Sequence, residues 1–229
     1  MEKGYFITGT DTNVGKTWAT VALMHYFKGQ GKSVIGLKPV ASGCYVKDQV
    51  LVNADALLLR EHATVKLDYR LINPYAYELP ASPHIAGKDN PVDFDHILKS
   101  FEFIKDLAQV IVIEGAGGWY SPLSTLQDNS DLAKVLGLPV ILVIAIKLGC
   151  INHAKLTYQA INKCGTRCAG WVAVCSQPDL LCADEILSTL KKMLDAQLLG
   201  ILPYSETPDF NVLAKNYCFD QCVDSLINF

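Results

Sequence analysis

The chain has 229 residues, half of them apolar and 19% charged, with 20 Lys plus Arg against 23 Asp plus Glu for a formal charge of −3. That composition can bury a sizeable core and excludes intrinsic disorder, and the slight acidic excess argues against nucleic acid, which asks for a basic face. The longest apolar run, Val135 to Ile146, holds twelve residues and contains Pro139, short of the roughly 20 a membrane span needs. Met1-Glu2-Lys3-Gly4 leads straight into Tyr5-Phe6-Ile7 without a secretory leader pattern. A soluble, cytoplasmic protein with no membrane partner is expected. The eight cysteines include Cys164/Cys168 and Cys218/Cys222, spaced as zinc ligands can be. A chain this long needs no disulfide staples, so reduced packing thiols are the expectation.

In chain order, Gly4–Thr8 reads as a strand, followed by a turn and a helix from Lys16 to Lys28 that Gly29-Gln30-Gly31 ends. Ser33–Leu37 is a second strand, closed by Lys38-Pro39, and a helix covers Asn53–Glu61. A looser stretch rich in Pro and Tyr runs from Asp68 to Pro91. Then come helix Phe94–Leu107, strand Gln109–Ile113, helix Asn129–Leu136, strand Val140–Ile146 and helix Asn152–Cys164. Strand Ala169–Val174, helix Asp179–Leu194 and strand Leu198–Leu202 follow. The strands are continuous apolar runs, as expected where helices cover both faces of a sheet. Their alternation with helices predicts one α/β domain over residues 1–229, a doubly wound, mostly parallel sheet with any ligand along its C-terminal edge.

The first strand feeds Thr8-Gly9-Thr10-Asp11-Thr12-Asn13-Val14-Gly15-Lys16-Thr17 and then a helix. Strand, glycine-bearing loop and helix form a phosphate cradle, in which backbone N–H groups and the helix N-terminus face the anion. Lys16 would reach the β- and γ-phosphates and Thr17 would offer its hydroxyl to Mg²⁺. Gly9 and Gly15 enclose five residues where the usual pattern has four, so Thr10 stands in place of the first glycine. An ordinary tight turn is the competing reading, disfavoured by Gly-Lys-Thr opening the first helix. Glu114, followed by Gly115-Ala116-Gly117-Gly118, reads as a strand-end carboxylate and a flexible turn, suited to a hard cation. Lys38 is held extended by Pro39, although a plain surface lysine would look the same. Asp55 could serve only the helix dipole.

Taken together, Tyr5 to Thr17, Gly36-Leu37-Lys38-Pro39-Val40-Ala41-Ser42-Gly43 and Asn53-Ala54-Asp55-Ala56-Leu57 resemble dethiobiotin synthase of biotin biosynthesis. Asn73-Pro74-Tyr75, Ser82-Pro83-His84, Glu114 to Trp119 and Lys147-Leu148-Gly149-Cys150-Ile151-Asn152-His153-Ala154 carry the same resemblance, which runs from about Tyr5 to Tyr204. It implies a P-loop nucleoside triphosphate hydrolase-like fold and an ATP- and Mg²⁺-dependent cyclo-ligase that joins CO₂ to 7,8-diaminononanoate. By motif position, Lys16 and Lys38 would be the catalytic cations, and Thr17, Asp55 and Glu114 would hold Mg²⁺. The nucleotide would lie against Asn13, Val14, Gly15, Lys16, Thr17 and Trp18, against Asp55, and against Glu114, Gly115, Ala116 and Gly117. Its base end would meet Val174, Cys175, Pro203, Tyr204, Ser205 and Asp209. Ser42 would contact the diamine. Cys150, Ile151 and Asn152 would take the substrate carboxylate across a homodimer interface, with Asn152 as the helix N-cap.

The sequence departs from the family pattern in two places. Asn13 stands where Glu is common, and Val174-Cys175 replace an Asn-Asp pair whose amide reads adenine. Rivals fit less well. A guanine-specific switch needs Asn-Lys-x-Asp, and Asn162-Lys163-Cys164-Gly165 lacks the Asp. A partitioning-type ATPase would carry a lysine where Asp11 and Thr12 stand, and a cobyrinate-type amide synthase would need room for a glutaminase domain.

Overall fold

The computed structural model describes residues 3–219; Met1, Glu2 and Cys222 lie outside the described residues. The chain runs β1 (Gly4–Gly9), α1 (Lys16–Gly29), β2 (Val34–Leu37), β3 (Val40–Ser42), β4 (Tyr45–Lys47), β5 (Val50–Val52) and α2 (Ala54–His62). It continues α3 (Tyr69–Ile72), β6 (Tyr75–Tyr77), α4 (Pro83–Ala86), α5 (Phe94–Ile104), β7 (Val110–Gly118) and α6 (Asn129–Leu136). The last part is β8 (Val140–Ile146), α7 (Cys150–Lys163), β9 (Cys168–Cys175), α8 (Ala183–Met193), β10 (Leu198–Leu202) and α9 (Phe210–Ala214).

Among the described residues, six strands form the main sheet in the order β10-β9-β8-β1-β7-β2, and every pairing in it is parallel. All residues of β1 and of β8 are buried, which is why both read as unbroken apolar runs. Successive side chains of a strand feed opposite layers: Tyr5 and Ile7 pack with Leu23 of α1 and Phe210 of α9, whereas Phe6 joins Ile97 of α5 and Leu132 of α6. After β1 the chain builds one side of the sheet (β2, β7) and then the other (β8, β9, β10). That switch leaves a crevice at the carboxyl end of β1.

Several boundaries differ from the sequence expectation. Glu114 to Gly118 is not a free turn: β7 continues through Gly118, still paired with β1 through Ile7 with Glu114 and Gly9 with Gly118. Continued pairing satisfies those backbone groups and holds Glu114 in the sheet. α7 starts at Cys150, with Gly149 in the left-handed region (φ 87°) at the N-cap and no side-chain cap. Asn152 therefore lies inside the first turn and is exposed, which corrects its reading as the cap. α8 starts at Ala183 rather than Asp179, after Cys182 at φ 60°. The loose stretch holds α3, β6 and α4, with β6 parallel to β3. β4 and β5 form an exposed hairpin turned by Asp48 and Gln49, both at positive φ. Cys44, Cys150, Cys164, Cys168, Cys175 and Cys182 are free thiols. No helix of the described residues is long and apolar enough to cross a membrane.

Candidate active site

A cleft of about 900 Å³ opens over the carboxyl end of β1. Its floor is the loop between β1 and α1, whose backbone curls because Asn13 (φ 58°) and Gly15 (φ 84°) adopt left-handed conformations. Gly15 is required there twice over, since a Cβ would stand 2.8 Å from Val174 Cγ1. α1 begins without a side-chain cap, leaving its first N–H groups to an anion. The Lys16 ammonium donates to the Asp11 carbonyl at 2.8 Å, folded back over the loop. Burial lowers its pKa to about 8, against the pull of Glu114 and with Lys38 adding to the fall.

Beside the loop stands a charge cluster built on a buried ion pair, with Asp55 half-exposed at its edge. Lys38 Nζ donates to Glu114 Oε1 at 2.5 Å and lies 3.1 Å from Asp55 Oδ2. Thr17 Oγ1 donates to the same Glu114 oxygen at 3.0 Å. Burial works against the Lys38 charge, but Glu114 and Asp55 together outweigh it and raise its pKa. Glu114 Oε2 and Ser42 Oγ are buried without a hydrogen-bond partner among the described residues. An orphaned carboxylate oxygen next to a hydroxyl and a second carboxylate is the oxygen-donor chemistry a Mg²⁺ ion takes.

The cleft brings together Asn13, Val14, Gly15, Lys16, Thr17, Trp18, Lys38, Ser42, Asp55, Glu114, Ala116, Gly117, Val174, Cys175, Tyr204 and Ser205. It does not include Gly115, whose Cβ position faces Phe6 and Asn129 on the other side of β7. Pro203 lies outside the lining, and Asp209 is used as the N-cap of α9, accepting from Asn211 N and Val212 N at 2.9 and 3.3 Å. Cys150, Ile151 and Asn152 lie away from the cleft, Cys150 being buried in the core. The lining adds Pro80, Ala81, Ser82 and Pro83 from the mouth, and Asn53. Asn53, Ser82 and Pro83 stand in motifs that carry the family resemblance, whereas Pro80 and Ala81 carried no sequence signal.

A family model described as an AAA domain matches residues 3–210. The ATP-dependent dethiobiotin synthetase BioD of Pseudescherichia vulneris is 44% identical over 208 residues, spanning 90% of this chain and 87% of that one. The chain belongs to the dethiobiotin synthetase family. Family proteins of Vibrio vulnificus (strain YJ016), at 45% over 89% of this chain and 91% of theirs, and of Escherichia coli (strain K12), at 43% over 91% and 94%, agree. Among solved structures, a chain of the MinC:MinD cell division protein complex of Aquifex aeolicus superposes with a TM-score of 0.57 at 15% identity, covering 93% of this chain and 86% of that one. The septum site-determining protein MinD of Pyrococcus horikoshii, complexed with Mg-ADP, gives 0.54 at 18%, covering 88% and 82%. These likenesses show the fold of the chain, a P-loop nucleoside triphosphatase-like α/β sheet.

Proposed function

We propose that this chain, acting as one domain, is an ATP-dependent dethiobiotin synthetase that closes the ureido ring of dethiobiotin from 7,8-diaminononanoate and CO₂. The observation that carries the reading is the joining of Lys38 with Glu114, Asp55 and Thr17 beside the phosphate loop. One amine of the substrate takes up CO₂ as a carbamate. A carbamate oxygen attacks the γ-phosphorus of ATP and ADP leaves; the second amine then attacks the carbamate carbon and inorganic phosphate departs as the ring closes. Little covalent chemistry falls to the protein, so positioning and charge neutralisation dominate.

Lys16 and Lys38 would stabilise charge on the γ-phosphate and on the carbamate. Thr17, Asp55 and Glu114 would hold Mg²⁺, which supplies further neutralisation of phosphate charge. Ser42, with its unpartnered hydroxyl, contacts the diamine end of the substrate. Val174, Cys175, Tyr204 and Ser205, which line the cleft, would bound the base end of the nucleotide, with Trp18 beside the phosphate loop. The substrate carboxylate lies at the far end of its chain from the amines, so it needs a separate anion site. The start of α7, at Cys150 to Asn152 with Gly149 as a bare cap, suits it when supplied by a second copy in a cytoplasmic homodimer.

Phosphate release from ATP with Mg²⁺, with and without diaminononanoate and bicarbonate, tests the activity. Stimulation by both, with dethiobiotin as product, is expected. Slow hydrolysis indifferent to the diamine would point to a nucleotide switch instead. For the dimer, mixing Lys38→Ala protein with a variant disrupted at Cys150 to Asn152 should restore activity, and a fully active monomer in sedimentation would remove that part of the reading.

A further inference from the structure

Tyr69 lies in α3 and does not line the cleft. Its hydroxyl accepts from Asn53 N at 2.7 Å and donates to Asn73 Oδ1 at 2.9 Å. On one side, Asn53 Oδ1 caps α2 by accepting from Asp55 N at 3.0 Å and Ala56 N at 3.2 Å. On the other, Asn73 Nδ2 donates to the Lys38 carbonyl at 2.7 Å and to that of Tyr75 at 3.3 Å. The Lys38 ammonium then meets Asp55 Oδ2 at 3.1 Å. The contacts close a ring: Lys38 main chain, Asn73, Tyr69, Asn53, the tip of α2 with Asp55, and back to Lys38 through its side chain.

The ring matters because the two carboxylates that meet the Lys38 ammonium come from different parts of the fold. Glu114 is held by β7 within the main sheet, but Asp55 sits on a helix that follows the exposed β4–β5 hairpin. Among the described residues the strand that leads into that helix, β5, pairs with β4 and not with the main sheet. Lys38, Asn53, Tyr69 and Asn73 are all buried, so each hydrogen bond acts in a medium where an unmade one is costly. We propose that Tyr69 is a positioning residue: its hydroxyl couples the Lys38 main chain to the α2 N-terminus and thereby sets the separation of the Lys38 ammonium and the Asp55 carboxylate. This role rests on the function proposed above.

A buried tyrosine that merely finds partners for its hydroxyl is the alternative, and Tyr77 provides the comparison. Tyr77 OH donates to the Asn90 carbonyl at 2.8 Å, in the loop between α4 and α5, and this bond touches neither Lys38 nor Asp55. The test compares Tyr69→Phe and Tyr77→Phe in the full chain by thermal unfolding, by steady-state formation of dethiobiotin, and by calorimetric binding of a non-hydrolysable ATP analogue over a Mg²⁺ series. Both variants should unfold at lower temperature. Only Tyr69→Phe should lose about 10–100-fold in kcat well below its unfolding temperature, and need more Mg²⁺ to bind the analogue. Its KM for ATP at saturating Mg²⁺ should hold, since Lys16 and Thr17 are untouched. Should Tyr69→Phe not fold, Asn73→Asp, which keeps the acceptor for Tyr69 but drops the donor to the Lys38 carbonyl, should show the same pattern. Equal effects in the two tyrosine variants, or an unchanged kcat and Mg²⁺ requirement in Tyr69→Phe, would overturn the proposal. Absence of dethiobiotin from the unsubstituted protein would instead remove the proposed activity, and the Mg²⁺ series would still judge the link.

Discussion

The Lys38 ammonium and the Glu114 carboxylate form an ion pair at 2.5 Å with side chains only 7% and 1% exposed. A buried pair is costly to break from one side, because the survivor keeps its charge without a partner; about 3–5 kcal/mol is typical. Lys38→Met should therefore lower the unfolding temperature clearly and cut turnover by about 10²–10³-fold. Adding Glu114→Gln should recover much of the stability and none of the activity. Thermal melts beside turnover separate the two effects, and a single variant as stable as the parent would contradict the geometry.

Gly15 and Val174 make a second testable contact. Gly15→Ala places a Cβ 2.8 Å from Val174 Cγ1 and forces a left-handed backbone on alanine, costing about 1–2 kcal/mol from the backbone alone. Nucleotide affinity should fall as the loop shifts. Gly15→Ala with Val174→Ala should regain only the part due to overlap, as titration with an ATP analogue would reveal.

Val174 also lines the cleft beside Cys175 and Ser176, and in the proposed function it would bound the base end of the nucleotide. Ser176 donates to the Ile146 carbonyl and Ser205 to that of Thr207, so each hydroxyl has only its acceptor side left for a base. An apolar wall discriminates between ligands by about 10–200-fold, whereas a site built to hydrogen-bond its ligand reaches 10⁴–10⁵. CTP and GTP should thus support measurable turnover, and Val174→Asn should shift kcat/KM toward ATP. Rejection of CTP and GTP by several orders of magnitude in the unsubstituted protein would show that other groups read the base.

The C-terminal half of α1 carries a pH-sensitive contact. His25 lies 2.8 Å from His62 of α2 and 2.8 Å from Asn211 of α9, ring nitrogen to Nδ1 and Oδ1. Burial is the largest influence lowering both histidine pKa values below 6.5; the Asn211 hydrogen bond opposes it at His25, and the charge of His25 adds to it at His62. The unfolded chain then binds more protons than the folded one as pH drops below 6.5, so stability is full above that value and is lost on acidification toward the depressed folded values. Unfolding temperatures between about pH 5 and 7.5 should fall less steeply for His62→Gln than for the parent. Parallel curves would refute the assignment.

Local pattern made much of this protein legible. Unbroken apolar runs such as Val140–Ile146 required a sheet covered on both faces, and Gly-Lys-Thr at the head of the first helix marked a phosphate cradle, because both signals depend on near neighbours in the chain. Lys38 before Pro39 was legible at the end of its strand for the same reason, whereas Glu114, read as a strand end, lies inside β7, which stays paired through Gly118. What only the tertiary structure decided are contacts made across the chain: Lys38 with Glu114, 76 residues apart, Val174 against Gly15, and the ring through Tyr69. The helix starts at Cys150 and Ala183 also escaped the sequence, since Asn152 looks like a cap until Gly149 takes the left-handed conformation that opens the helix early. Asp209 shows the same limit, a carboxylate whose hydrogen bonds go to its own helix rather than to the cleft. Residue type fixes which bonds a side chain can make; packing between distant elements selects the ones it does make.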